Sequence, residues 1–203
     1  VVVDAGCGEG SLVRRLAEDG ARYVHGVDTC PEFIESARAH PGHRPESATF
    51  HHADVAALPL PAAAADLVVA NRLPHGLRRP EERFREFARV LKPTGRLILL
   101  GMHPCFYVPR ADRAAGTEVP VAAYLDGRTV EQRFSVAGRV SPGASVQRLF
   151  SLEAYVGMLT GAGFAITQLY EPHPTDRQRQ ENPWWEENFV RPLFLLLECR
   201  PLR

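Results

Sequence analysis

The chain has 203 residues, 24 of them basic and 24 acidic, for a formal net charge of zero. That length accommodates one ordinary α/β domain rather than two, and the charge balance leaves no basic excess to draw nucleic acid. No apolar run reaches the length of a membrane span. The four cysteines, Cys7, Cys30, Cys105 and Cys199, are far apart and form no C-x-x-C pair, so the expectation is a cytoplasmic protein with reduced thiols and no metal.

Val1-Val2-Val3 reads as a strand buried on both faces, since a half-exposed strand would alternate apolar with polar residues. Gly6, Gly8 and Gly10 then allow a sharp turn, and residues 11–17 continue with helical spacing. A second short strand is expected at 22–28, followed by a helix that Thr29 or Cys30 caps, with Pro31 at its first position. Strands follow at 48–53, ending at Asp54, and at 66–71. Pro80 opens a helix whose Phe84, Phe87, Ala88 and Leu91 recur at helical spacing, and Lys92-Pro93-Thr94-Gly95 ends it before a fifth strand at 96–101.

From 102 to about 145 the pattern breaks into an insertion, with one strand expected at 129–136, that helps to roof a site. A helix at 152–159, a strand at 164–170, a polar segment to Glu187 and a last strand at 192–199 complete the order. The βαβα rhythm predicts a doubly wound α/β sheet with helices on both faces.

The glycine spacing selects the ligand. A dinucleotide fingerprint needs G-x-G-x-x-G, but position 11 is Ser and the third glycine comes one residue early, which argues against a nicotinamide-dependent oxidoreductase. Asp4 and Glu9 flank the turn, where a pyrophosphate would disfavour acids. An acid followed by G-x-G-x-G resembles the first motif of the class I S-adenosylmethionine-dependent methyltransferases. The Asp54-Val55-Ala56-Ala57-Leu58-Pro59-Leu60 stretch and Arg89-Val90-Leu91-Lys92-Pro93-Thr94-Gly95-Arg96-Leu97 extend the resemblance over residues 1–101.

The resemblance implies a single domain with a Rossmann-like seven-stranded sheet, mostly parallel, and an antiparallel pair at its edge. The cofactor-binding half is 1–101, and 102–203 supply the insertion, the substrate side and the last strands. It implies S-adenosyl-L-methionine as cofactor and a small-molecule acceptor, with no nucleic acid or membrane partner, in a monomer or homodimer. Relatives usually carry helices before this first strand, so an N-terminal part of the lid is expected to be missing from the numbered chain.

The cofactor residues it implies are Asp4, Ala5, Gly6, Cys7, Gly8 and Gly10 in the turn, with Asp28 and Thr29 at the ribose. Ala53, Asp54 and Val55 are implied at the adenine, and Asn71, Arg72 and Leu73 at the methionine part. The enzymes that methylate exocyclic amines of nucleobases or glutamine carry N-P-P-[YFW] where this chain has Asn71-Arg72-Leu73-Pro74, which weakens those acceptors. On the acceptor side His75, His103, Phe106, Tyr107, Tyr155 and Trp184 are candidates. His103 or His75 is a candidate general base, because an imidazole titrates near neutrality. For Trp184 and its neighbours Trp185 and Phe189, anchoring of the insertion is favoured over a substrate wall.

Overall fold

The computed structural model describes residues 1–73, 79–107, 121–133, 135–136, 139–140 and 145–202. Its central element is β1 (Val2–Ala5), every residue of which is buried. β2 (Val24–Asp28), β3 (Ala48–His52), β4 (Ala65–Asn71) and β5 (Leu91–Met102) lie parallel to it. β10 (Phe164–Tyr170) and β11 (Phe194–Pro201) complete a seven-stranded sheet in the order β10-β11-β5-β4-β1-β2-β3. The expected antiparallel pair, β10 with β11, is present at the sheet edge. β11 alone runs against its neighbours β5 and β10, and β10 closes the edge in the common direction.

Helices cover both faces. On one side, α1 (Ser11–Glu18) and α2 (Pro31–Ala39) bury Val13, Ile34 and Ala37 against Val2, Val24 and Phe50. On the other, α3 (Pro80–Val90) brings Phe84 and Phe87 onto Val3, Ala5, Val68 and Leu97. α2 and α3 carry sequence signals of their ends, with Pro31 and Pro80 in the first turn and Arg38 and Arg89 in the last.

The strand order reverses between β1 and β4, so the crevice at their carboxyl ends is where an open α/β sheet takes a ligand. Phe50 tightens the packing beneath it. A methyl group on Gly26 would lie 2.7 Å from Phe50 Cδ1, 2.9 Å from Val13 Cγ2 and 3.0 Å from Cys7 Sγ, so only glycine lets α1 approach β2 this closely.

The insertion is more regular than its composition suggests. It contains α4 (Val121–Leu125), β6 (Arg128–Gln132) paired antiparallel with β9 (Ser145–Leu149), and β7 (Ser135–Val136) paired with β8 (Arg139–Val140). Val130 and Leu149 of the β6–β9 ribbon pack on Met102 and Tyr107, just past β5. After α5 (Leu152–Gly161) and β10, the polar segment folds into α6 (Asp176–Glu181) and α7 (Trp184–Asn188). The start of α6 is a capping box of Thr175 and Gln178, a local signal carried by the T-x-x-Q spacing. Among the described residues, no helix is long and apolar enough to cross a membrane.

Gly26→Ala is expected to cost about 1–3 kcal/mol through overpacking against Phe50 and Val13. Urea unfolding measures it, and an unchanged midpoint would show that this contact is slack.

Candidate active site

The turn after β1 is held by β2. Gly6 N–H (2.8 Å) and Cys7 N–H (3.0 Å) both donate to the Val27 carbonyl, Gly8 N–H donates to Asp28 Oδ2 at 2.9 Å, and Gly10 N–H donates to the Cys7 carbonyl at 3.0 Å. Gly6, Gly8 and Gly10 all have positive φ, the conformation that only glycine adopts without strain. With four of its amides satisfied internally, the turn is poorly suited to grip a phosphate, which needs free N–H groups. A Cβ at Gly8 would meet nothing within 4 Å, so that backbone faces open space, whereas one at Gly6 would meet Leu73 Cδ1 at 2.8 Å. Leu73 therefore packs directly against the turn at Gly6.

Asp28 ends β2. Its Oδ1 accepts from Cys30 N–H at 2.9 Å and its Oδ2 from Gly8 N–H, so the carboxylate is fixed on both oxygens. Each oxygen keeps a second lone pair, a donor set that fits the two hydroxyls of a ribose. Asp4 is 2% exposed, and burial first and Asp28 second push its carboxyl up to about 7. A cation brought beside it would favour the ionised form. Glu9, the other acid of the turn, is exposed, and its carbonyl accepts from Arg14 at 2.7 Å. A rigid hydroxyl-binding carboxylate, a buried acid and a turn with four of its amides engaged internally fit a cationic, phosphate-free nucleoside such as S-adenosylmethionine.

The other implied cofactor positions surround the same strand ends. Ala5 is fully buried under the turn. Cys7 is a correction in part: its side chain is buried with Phe50, and burial, Asp4 and Asp28 push its thiol up to about 12, so it contributes backbone rather than a ligand contact. The Thr29 carbonyl is hydrogen-bonded to His52 Nε2 at 3.1 Å. Ala53 N–H donates to the Asp28 carbonyl at 3.0 Å, and the Val55 side chain is buried in the core. Asp54 uses Oδ1 to accept from Ala56 N–H at 2.8 Å and sets Oδ2 3.3 Å from Arg83 of α3. It is thus also a turn residue, paired with a cation that sequence reading did not single out. Asn71 and Arg72 are exposed at the end of β4, with Arg72 N–H donating to the Leu100 carbonyl. His75 lies outside the described residues.

His103 follows β5 and is 2% exposed. Its Nδ1 accepts from Cys105 N–H at 3.2 Å, which leaves the proton on Nε2 to donate to Glu171 Oε1 at 2.9 Å. Burial lowers its pKa and Glu171 opposes that shift. Both ring nitrogens are thereby occupied, so this packing does not present His103 as the expected base. Phe106 tilts against its ring, with centroids 4.8 Å apart, and remains 41% exposed.

Packing gives two further candidates, Tyr155 and Tyr107, a structural role instead, and Trp184 the anchoring role favoured from the sequence. Tyr155 is 3% exposed, set edge-on to Phe150 in the main core, and burial raises its pKa; it supports α5 rather than a substrate. Tyr107 is buried with Met102, Val130 and Leu149 and holds the insertion down. Trp184 belongs to an aromatic cluster with Trp185 and Phe189, and Phe189 in turn meets Phe194 of β11, so the cluster anchors α7 to the sheet. Glu171 and Arg83 were missed because neither lies in a local pattern; each is defined by a partner far along the chain. The adjacent His51 and His52 have different partners, with His51 Nε2 3.1 Å from His25 Nδ1 and His52 Nε2 3.1 Å from the Thr29 carbonyl. Among the described residues, no three His, Cys, Asp or Glu side chains gather as a metal site.

Residues 3–99 match the family model described as "Methyltransferase domain". The chain is 39% identical over 99 residues to malonyl-[acyl-carrier protein] O-methyltransferase of Hahella chejuensis, covering 48% of this chain and 34% of that protein. It is 34% identical over 100 residues to 27-O-demethylrifamycin SV methyltransferase of Amycolatopsis mediterranei, covering 48% and 37%. The chain thus spans little more than a third of these relatives' length. The crystal structure of an S-adenosylmethionine dependent methyltransferase from Mesorhizobium loti superposes with a TM-score of 0.74 at 26% identity, covering 98% of this chain and 89% of that one.

Because Asp4 titrates near pH 7 in the free protein, its burial carries no charge penalty in acid. The penalty to the folded state grows as pH rises from about 4 to about 7. A cationic cofactor reverses the preference. Affinity for S-adenosylmethionine is therefore expected to fall as pH drops below about 7 and to level off above it. Titration calorimetry across that range checks this, with Asp4→Asn expected to flatten the profile; a pH-independent wild-type affinity would remove Asp4 from the linkage.

Proposed function

We propose that this chain is a class I S-adenosylmethionine-dependent methyltransferase and that it transfers a methyl group to an oxygen or nitrogen of a small-molecule acceptor by in-line displacement. The observation that carries this reading is Asp28, fixed through both oxygens beside a turn that has four of its amides already engaged. When bound, S-adenosylmethionine supplies a methyl carbon activated by its sulfonium. Asp28 takes the ribose hydroxyls, Asp4 balances the cationic end, and the glycine turn gives close approach under Leu73. Ala53, Asp54 and Val55 border the adenine, and Asn71 and Arg72 the methionine part.

The support for a small-molecule acceptor is the relative named for 27-O-demethylrifamycin SV; an acceptor on a carrier protein, as in the other relative's name, is the alternative. Transfer from a sulfonium depends chiefly on alignment, so a base is optional. Where one acts, His75 takes the role ahead of His103, whose ring nitrogens are both engaged. Phe106 borders the acceptor. Balanced charge supports the absence of a nucleic-acid partner and the four free thiols support a cytoplasmic setting; a monomer or homodimer without a membrane partner is part of the same proposal.

Asp28→Ala is expected to weaken S-adenosylmethionine about tenfold to a hundredfold, the loss of a charge-assisted contact. Titration calorimetry reads it, and unchanged affinity would take Asp28 out of the site. Release of S-adenosylhomocysteine with candidate acceptors tests catalysis; binding without release under any of them favours a non-catalytic cofactor-binding module. His75→Ala should remove the acid limb of the turnover profile, whereas His103→Ala should lower the melting temperature and leave that limb in place. The reverse pattern would return the base to His103.

A further inference from the structure

The β6–β9 ribbon alternates cleanly. Thr129, Glu131, Val146 and Arg148 are exposed, while Val130, Gln147 and Leu149 are buried. Arg128 shares the inner face, since it pairs with Leu149 and stands two residues before Val130. That inner face packs on Met102 and Tyr107, beyond the carboxyl end of β5, at the ligand end of the sheet. An arginine and a glutamine thus sit in a wall that is otherwise apolar.

Arg128 has few partners there. Its Nη2 donates to the Tyr107 carbonyl, its Nε is buried without a hydrogen-bond partner, and no acidic side chain among the described residues pairs with it. Burial lowers its pKa, with only Tyr107 opposing. Arg128 is half-buried, and a guanidinium partly withdrawn from water with no counter-charge among the described residues is costly unless something supplies the charge. A surface arginine would have been the cheaper choice for a plain roof. A planar fork with donors to spare matches a carboxylate, which it can bind through two parallel N–H···O bonds.

We infer that the acceptor is an organic anion, and that Arg128 on the inner face of the β6–β9 ribbon binds its carboxylate. This rests on the methyltransferase reading and names the acceptor class for that site. Arg128 acts on specificity rather than on the cofactor, so it sets which acceptor is held and leaves the Asp28 cradle untouched.

The test uses benzoate and its neutral isostere benzamide as probes, with S-adenosylhomocysteine present to fill the cofactor cradle. In the wild-type chain, benzoate should raise the melting temperature and benzamide should not. Arg128→Met should weaken benzoate about tenfold to a hundredfold. Arg128→Lys, which keeps the charge without the planar fork and is the milder change to the fold, should fall between. Equal shifts from both probes, no shift from either, or a benzoate shift that survives in both variants overturns the inference. S-adenosylmethionine titration of the same proteins separates the two failures. A wild-type chain that does not bind cofactor fails the methyltransferase reading, whereas intact cofactor binding with a failed benzoate arm fails only the role of Arg128.

Discussion

The bond between the glycine turn and the end of β2 is the constraint on which the rest of the site depends. Val27 receives the Gly6 and Cys7 amides, and Asp28 receives those of Gly8 and Cys30. One strand end therefore shapes the turn and presents the carboxylate. The same saturation that makes the turn rigid leaves it poor in free donors, so a phosphate finds little to hold and a nucleoside without one finds a shaped surface. Phe50 and Gly26 support this from below, because α1 can start from the turn only where β2 offers no side chain.

Asp4 shows what that rigidity costs. A carboxylate at the end of a fully buried strand is desolvated and lies near a second acid, and both effects oppose its ionisation. A fold selected for stability alone would place an apolar residue there. Its presence beneath the turn is consistent with a ligand that brings positive charge.

The far side of the site is built from distant segments. His103 is locked between Cys105 and Glu171, so it couples the end of β5 to the end of β10 and holds Phe106 in place. The β6–β9 ribbon roofs the same segment through Val130 and Leu149. Polar residues on its inner face, Arg128 and Gln147, blur the hydrophobic alternation that would have marked two paired strands, which is why only one strand was expected there.

The strand–turn–helix opening, the acids near the ends of β1 and β2 and the helix starts at Pro31 and Pro80 are legible in the order of residues alone, and with them the cofactor class. Each of these is set by neighbours within a few residues, through backbone sterics and capping. Only the tertiary structure decided that Tyr155 supports the core, that Trp184 anchors α7, that Asp54 shares Arg83, and that β11 alone runs antiparallel. His103 meets Glu171 across 68 positions of chain, and Arg128 meets Tyr107 across 21. Such pairings depend on which face of each element turns inward and on what packs over it, and local spacing carries no record of either.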